Sequence, residues 1–339
     1  MRINIKKSLI YQWFYTTKWA VLLASIVWAL YSKFIILEEK ITSLKYNVGS
    51  LTSDKINHIS LTDLVFFLMI LVFVYILSNG LNKRSKIMLI NSGPYTRNDI
   101  FLSNLICNLS VLILLIVIYV YIYICSGVRY SDLLSYCSNY YFMLFLDVIK
   151  LFVMGILVIS YTLLIDILFS NSIVTIIGVI GIPVCSLISL SMNIELFYFH
   201  NEFPLQNRFI NKFIGYLRFY INDEHIKPNY RDFYIISILI LILTCIILYV
   251  VKKLNNMVHI ERVSNFFVFN FAQYVSVFIV SITLSSICAV IGYNYICYNS
   301  NLYMDSNITR NLFIILFSEV LLIILLNILF NKIISKFVK

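Results

Sequence analysis

Four ionisable residues stand inside otherwise apolar runs of the chain: Asp147 and Lys150, three apart, then Asp166 and Glu319. A charge at the bilayer centre costs roughly 2.5–3.5 kcal/mol on insertion scales, so each of these intramembrane polar groups needs a partner, water or a proton. The i,i+3 spacing puts Asp147 and Lys150 on one helix face, where mutual neutralisation is expected. Glu319 has no basic neighbour in sequence; a contact with another helix is expected, with a proton relay as the alternative. Other chemistry finds no residues to carry it. The chain has no GxxxxGK[ST], HExxH or GxSxG, and His58, His200, His225 and His259 are isolated. His200, Glu202, Asp223, Glu224 and His225 share one segment and are expected to form its solvated rim rather than a metal site. The seven cysteines form no CxxC pair and read as small buried hydrophobes. No catalytic, cofactor-binding or metal residue is therefore expected, and the chain is not expected to be an enzyme.

What must position these residues follows from composition. The 339 residues are 61% hydrophobic and only 12% charged, against about 25% charged in soluble domains. A water-soluble enzyme and a nucleic-acid-binding chain are excluded, and the expectation is an all-α polytopic membrane protein. Eight runs reach the ~20 residues a spanning helix needs: Trp19–Leu37, Leu64–Gly80, Phe101–Cys125, Phe142–Phe169, Ile173–Met192, Phe233–Val251, Phe271–Tyr293 and Leu312–Phe330. Only Ser170, Asn171 and Ser172 divide the fourth from the fifth, so a re-entrant arrangement stays open there. No cleavable signal peptide is expected, since the first run is long enough to span.

The formal charge of +10 is read as topology, because Lys and Arg near span ends resist translocation. Fourteen of the 26 basic residues fall in segments that are cytoplasmic if the N-terminus is inside, with little acid beyond Asp99 and Glu261. The external segments mix Lys and Arg with Glu38, Glu39, Asp54, Glu202, Asp223, Glu224 and Asp232. Both termini are thus expected in the cytoplasm. Residues 1–18 read as a basic, Trp-anchored interfacial segment, and 38–63 as a polar external loop.

The segment between the second and third spans carries the most information. Gly93 suits a helix C-cap, Pro94 blocks continuation, and Thr96 with Asp99 three residues on forms a capping-box pattern. A helix is expected to leave the membrane, reverse and re-enter. The stretch Ser92-Gly93-Pro94-Tyr95-Thr96-Arg97-Asn98-Asp99-Ile100-Phe101-Leu102-Ser103 resembles the SGP(Y/F)(S/T)R(K/N)(E/D)I(F/Y)xSK pattern of bacterial ABC-2-type ABC transporter permeases, departing at Asn104. In that family the loop is a coupling helix against the ATP-binding subunit. The resemblance implies an ATPase-coupling elbow here at Ile87, Ser92, Gly93, Pro94, Tyr95, Thr96, Arg97, Asp99 and Phe101. A looser similarity after the sixth span implies a second cytoplasmic contact at Glu261 and Arg262, with Val263 in place of the usual small residue.

On this resemblance residues 19–251 would form a six-span core and 252–339 a linker with two added C-terminal spans. The external loop 193–232 is expected to contain an amphipathic helix over 208–221. Phe209, Phe213 and Leu217 line its apolar face and Arg208, Lys212 and Arg218 its basic one. It is either a cap packed on the bundle or a gate at the outer mouth. The implied function is a permease subunit in the bacterial cell membrane, exporting a hydrophobic compound, lipid or peptide along a path lined by Ser160, Thr162, Ser172, Thr175, Gly178 and Gly181. ATP and Mg would sit on partner cytoplasmic ATPase subunits, with a second permease copy or homologue alongside. The rivals are a non-transporting polytopic protein (immunity, sensory or lipid-acting) and a secondary transporter, for which no internal repeat is seen.

Overall fold

From Lys7 to Asn47 the sequence has no glycine or proline, and nothing interrupts its helix. In the computed structural model, which describes residues 7–47, 59–80, 95–134, 140–198, 230–257, 267–300 and 308–337, this stretch runs as α1 (Lys7–Tyr31), a π-helical segment (Ser32–Leu37) and α2 (Glu38–Asn47) without a turn. Leu9, Trp13, Thr17, Val21, Ala24 and Trp28 form one buried stripe along α1, the three- and four-residue spacing of a single helix face. Residues 7–18 are thus continuous with the helix expected from Trp19 rather than set off from it by a turn.

The remaining helices are α3 (Leu61–Tyr75) with a π-helical end (Ile76–Gly80), α4 (Arg97–Arg129), the short α5 (Ser131–Leu134), α6 (Tyr140–Leu168), α7 (Ser172–Tyr198), α8 (Tyr230–Met257), α9 (Asn270–Ser300) and α10 (Ile308–Phe337). Among the described residues eight helices are long and apolar enough to cross a membrane, so the chain is an all-α polytopic membrane protein. The fourth and fifth spans are separate. Leu168 ends α6, Phe169 makes an isolated antiparallel bridge with Phe267, and Asn171 opens α7 by accepting the Ile173 N–H on its side chain at 2.9 Å.

Packing sorts the helices into two compact units. The first holds α1 to α6 and α8; the second holds α7, α9 and α10. The expected order, six spans and then two appended, does not describe this division, because the fifth span packs with the seventh and eighth.

In the first unit the core is aromatic. Trp28, Phe67, Tyr119 and Tyr123 are almost wholly buried; the Trp28 and Phe67 rings lie 4.9 Å apart, and the Trp28 indole donates to the Leu115 carbonyl at 3.0 Å. A Cβ added to Gly155 on α6 would run into the end of the Leu112 side chain of α4, so a larger residue there needs Leu112 to shift. In the second unit α9 runs against both α7 and α10, with Ser281, Ser285 and Ser286 fully buried. Small residues at such seams are how membrane helices gain contact without a hydrophobic driving force.

Candidate functional site

Two places in the first unit gather the residues of interest, one at each end of its helices. At the first, Thr96 caps α4. Its hydroxyl accepts the Asp99 N–H at 3.2 Å, and Asp99 Oδ2 accepts the Thr96 N–H at 3.1 Å. The capping box read from the sequence is present, and it opens a helix of 33 residues. This helix start is also fastened sideways. The Tyr95 hydroxyl and Ser8 Oγ of α1 are 3.1 Å apart, and the Asn255 side chain of α8 donates to the Arg97 carbonyl at 3.3 Å. Phe101 packs against the core from the first turns of α4. Asp166, near the end of α6, lies beside the buried Tyr75 at the end of α3. Ile87, Ser92, Gly93 and Pro94, the contact pair Glu261 and Arg262, and the amphipathic helix with Arg208, Phe209, Lys212, Phe213, Leu217 and Arg218 lie outside the described residues.

The other end holds a buried charge cluster. Asp147 is 0% exposed and Lys150 1%. Asp147 Oδ2 accepts from Lys40 Nζ at 3.0 Å and from the Tyr119 hydroxyl at 3.0 Å; Oδ1 accepts the Ile59 N–H at 3.0 Å. Lys150 Nζ donates to the Ile59 carbonyl at 2.8 Å. The two residues do share a helix face, but they use it to grip the backbone N–H and the carbonyl of one residue, Ile59, rather than only each other. Lys40 also lies 5.5 Å from the centre of the Tyr123 ring. The next residue, Ser60, caps α3 through a second capping box with Asp63, and Asp63 Oδ1 accepts the Tyr31 hydroxyl at 2.9 Å. The start of α3 is thus tied to α1, α2, α4 and α6 by buried bonds.

Comparison with protein-family models, curated protein sequences and solved structures gives no match. Function must therefore be argued from these two ends and from the second unit.

There, Glu319 of α10 finds the interhelical contact expected of it. Ser286 of α9 donates to its Oε1 at 2.7 Å, and Asn193 of α7 donates to Ser286 Oγ at 3.0 Å. Hydroxyls proposed to line a path are spent locally. Ser160, Thr162 and Thr175 donate to carbonyls three or four residues back on or just before their own helices. Among the described residues no cluster of three or more His, Cys, Asp or Glu could hold a metal ion. Of the five cysteines whose side chains are described only Cys107 is buried, while Cys125, Cys245 and Cys288 are exposed on spanning helices, which corrects the reading of the cysteines in the apolar runs as buried.

The sequence reading missed Lys40 and Ile59, both assigned to a polar external loop. A signal for Lys40 was present. Ile36, Leu37, Lys40 and Ile41 are all buried and follow i, i+1, i+4, i+5 spacing, so the apolar stripe of the first span continues past Lys40. Ile59 acts only through its backbone, which no residue type announces.

Proposed function

We propose that the chain is the membrane-spanning permease subunit of an ATP-driven exporter of the ABC-2 type, working in a bacterial cytoplasmic membrane with both termini inside. The energy would come from separate cytoplasmic ATPase subunits, since the chain has no P-loop of its own, and a second permease copy or homologue would complete the path for a hydrophobic compound, lipid or peptide. The observation that carries this reading is the elbow. Its family-like stretch from Ser92 to Ser103 leads directly into the Thr96 cap of α4, where bonds to Ser8 and Asn255 join α4 to α1 and α8.

A partner pressing on the elbow would therefore displace three spans together. At the far end Asp147 and Lys150 bind α6 to the start of α2, the start of α3 and α4, so displacement would reach those helices as one movement rather than dissipate in α4. The test is co-expression with a P-loop ATPase encoded beside it. Stoichiometric co-purification that is lost on Arg97→Glu, with the isolated permease still folded, supports the reading. Failure to recruit any ATPase, or recruitment indifferent to changes at Arg97 and Tyr95, overturns it.

A further inference from the structure

We propose that the seam between α1 and α4 on the Lys7 side is a binding site for an anionic phospholipid, with the phosphate at Lys7 and one acyl chain in the groove beyond it. A groove of about 520 Å³ opens there, walled by Lys7, Trp13 and Val21 of α1 and by Cys107, Ser110 and Leu114 of α4, among others. That volume lies within the roughly 300–1,000 Å³ of small-molecule sites. From Lys7 to Val21 the helix climbs about 21 Å at 1.5 Å per residue, enough to cross one leaflet's half of a hydrocarbon core about 30 Å thick together with its headgroup border.

Charge and shape select the occupant. Lys7 is exposed at the mouth, and among the described residues no acidic residue lines the groove. Beyond Lys7 the wall is apolar, with Trp13, Val21, Val111 and Leu114 along it. Trp13 is 4% exposed, so its ring reports on what fills the groove. Free phosphate would leave the long apolar wall uncovered; a lipid covers both parts. The opposite end of the same seam differs. Its cavity of about 280 Å³ is lined by Glu38 as well as by Lys33 and Arg129, so an anion there would meet a carboxylate.

This site does not depend on the ATPase reading, and its test involves no partner protein. The full chain with Trp19→Phe is reconstituted in phosphatidylcholine vesicles containing a minor fraction of brominated phosphatidylglycerol or, in parallel, of brominated phosphatidylcholine. Trp13 fluorescence is obtained by subtracting the Trp13→Phe signal, which leaves the buried Trp28. Several-fold stronger quenching by the anionic lipid is expected, with the preference abolished by Lys7→Gln and by the groove-filling Ser110→Phe. Equal quenching by both lipids, indifferent to Lys7, means bulk lipid contact and overturns the proposal; so does the absence of quenching by either.

Discussion

Lys40 and Asp147 are separated by 107 residues and joined by a 3.0 Å ion pair within the protein interior. The carboxylate also accepts from Tyr119 and from the Ile59 N–H, while Lys150 on the same face holds the Ile59 carbonyl. Two cations thus flank one anion. Removing the anion takes from both buried lysines the carboxylate beside them, and removal of one partner from a buried pair costs about 3–5 kcal/mol. Asp147→Asn is expected to lower stability by that order. Lys40→Met leaves Asp147 with Lys150 nearby and two hydrogen-bond donors, so a smaller loss of about 1–3 kcal/mol is expected. The double substitution should cost less than Asp147→Asn alone. Thermal denaturation in detergent, followed by size-exclusion chromatography, reads the order; a Lys40→Met more damaging than Asp147→Asn contradicts it.

Gly155 gives a second test, of packing rather than charge. A methyl at this position would run into the end of the Leu112 side chain, and Leu112 is completely buried in the core cluster, so it can give way only by displacing other core side chains. Overpacking of this kind costs about 1–3 kcal/mol. Gly155→Ala should therefore destabilise, and Leu112→Ala combined with it should recover part of the loss although Leu112→Ala alone opens a cavity. Simple additivity of the two losses would show that the helices do not meet at this point.

What could be read from the sequence follows from the range of the interactions. The eight spans were legible because hydropathy is a property of contiguous residues, and the Thr96 cap because its partner is three positions away. The spans' lengths were not: α1 begins at Lys7 and α4 at Arg97, since a helix without proline or glycine continues past the end of the apolar run that revealed it. Asp147 and Lys150 stood out as charges in an apolar run, but their partners arrive from α2, from α4 and from a backbone peptide. Sequence separation carries no information about those distances. The grouping of α7 with α9 and α10 was hidden for the same reason, and the six-span core that the family resemblance implied pointed to another grouping.

The cap on α4 allows a third prediction. Thr96→Ala removes the hydroxyl that accepts the Asp99 N–H, and loss of an N-cap costs about 0.5–2 kcal/mol. Thr96→Ser keeps the acceptor and should be close to neutral. Hydrogen exchange of the first turn of α4 separates the two: protection at Ile100 and Phe101 should fall in Thr96→Ala and persist in Thr96→Ser. Equal protection in both would place the hold on this helix end in the Ser8 and Asn255 contacts instead.

Glu319 poses the question whether its carboxyl is held as half of an ion pair or as a hydrogen-bond acceptor. Its bond from Ser286 at 2.7 Å, with Asn193 behind it, needs only an acceptor oxygen, and a glutamine supplies one. Interhelical polar contacts in membranes average about 0.6 kcal/mol and reach about 1.7, so Ser286→Ala should cost no more than that. Glu319→Gln should be neutral or stabilising, because it keeps the contact and removes the expense of a charge in an apolar seam. Glu319→Leu should fall between Glu319→Gln and complete loss of the α9–α10 contact, as it leaves Ser286 without its interhelical acceptor. Thermal stability of the three variants decides the matter: if Glu319→Gln costs more than about 2 kcal/mol, beyond what a polar contact of this kind supplies, the carboxylate is charge-paired in the native protein and the hydrogen-bond account fails.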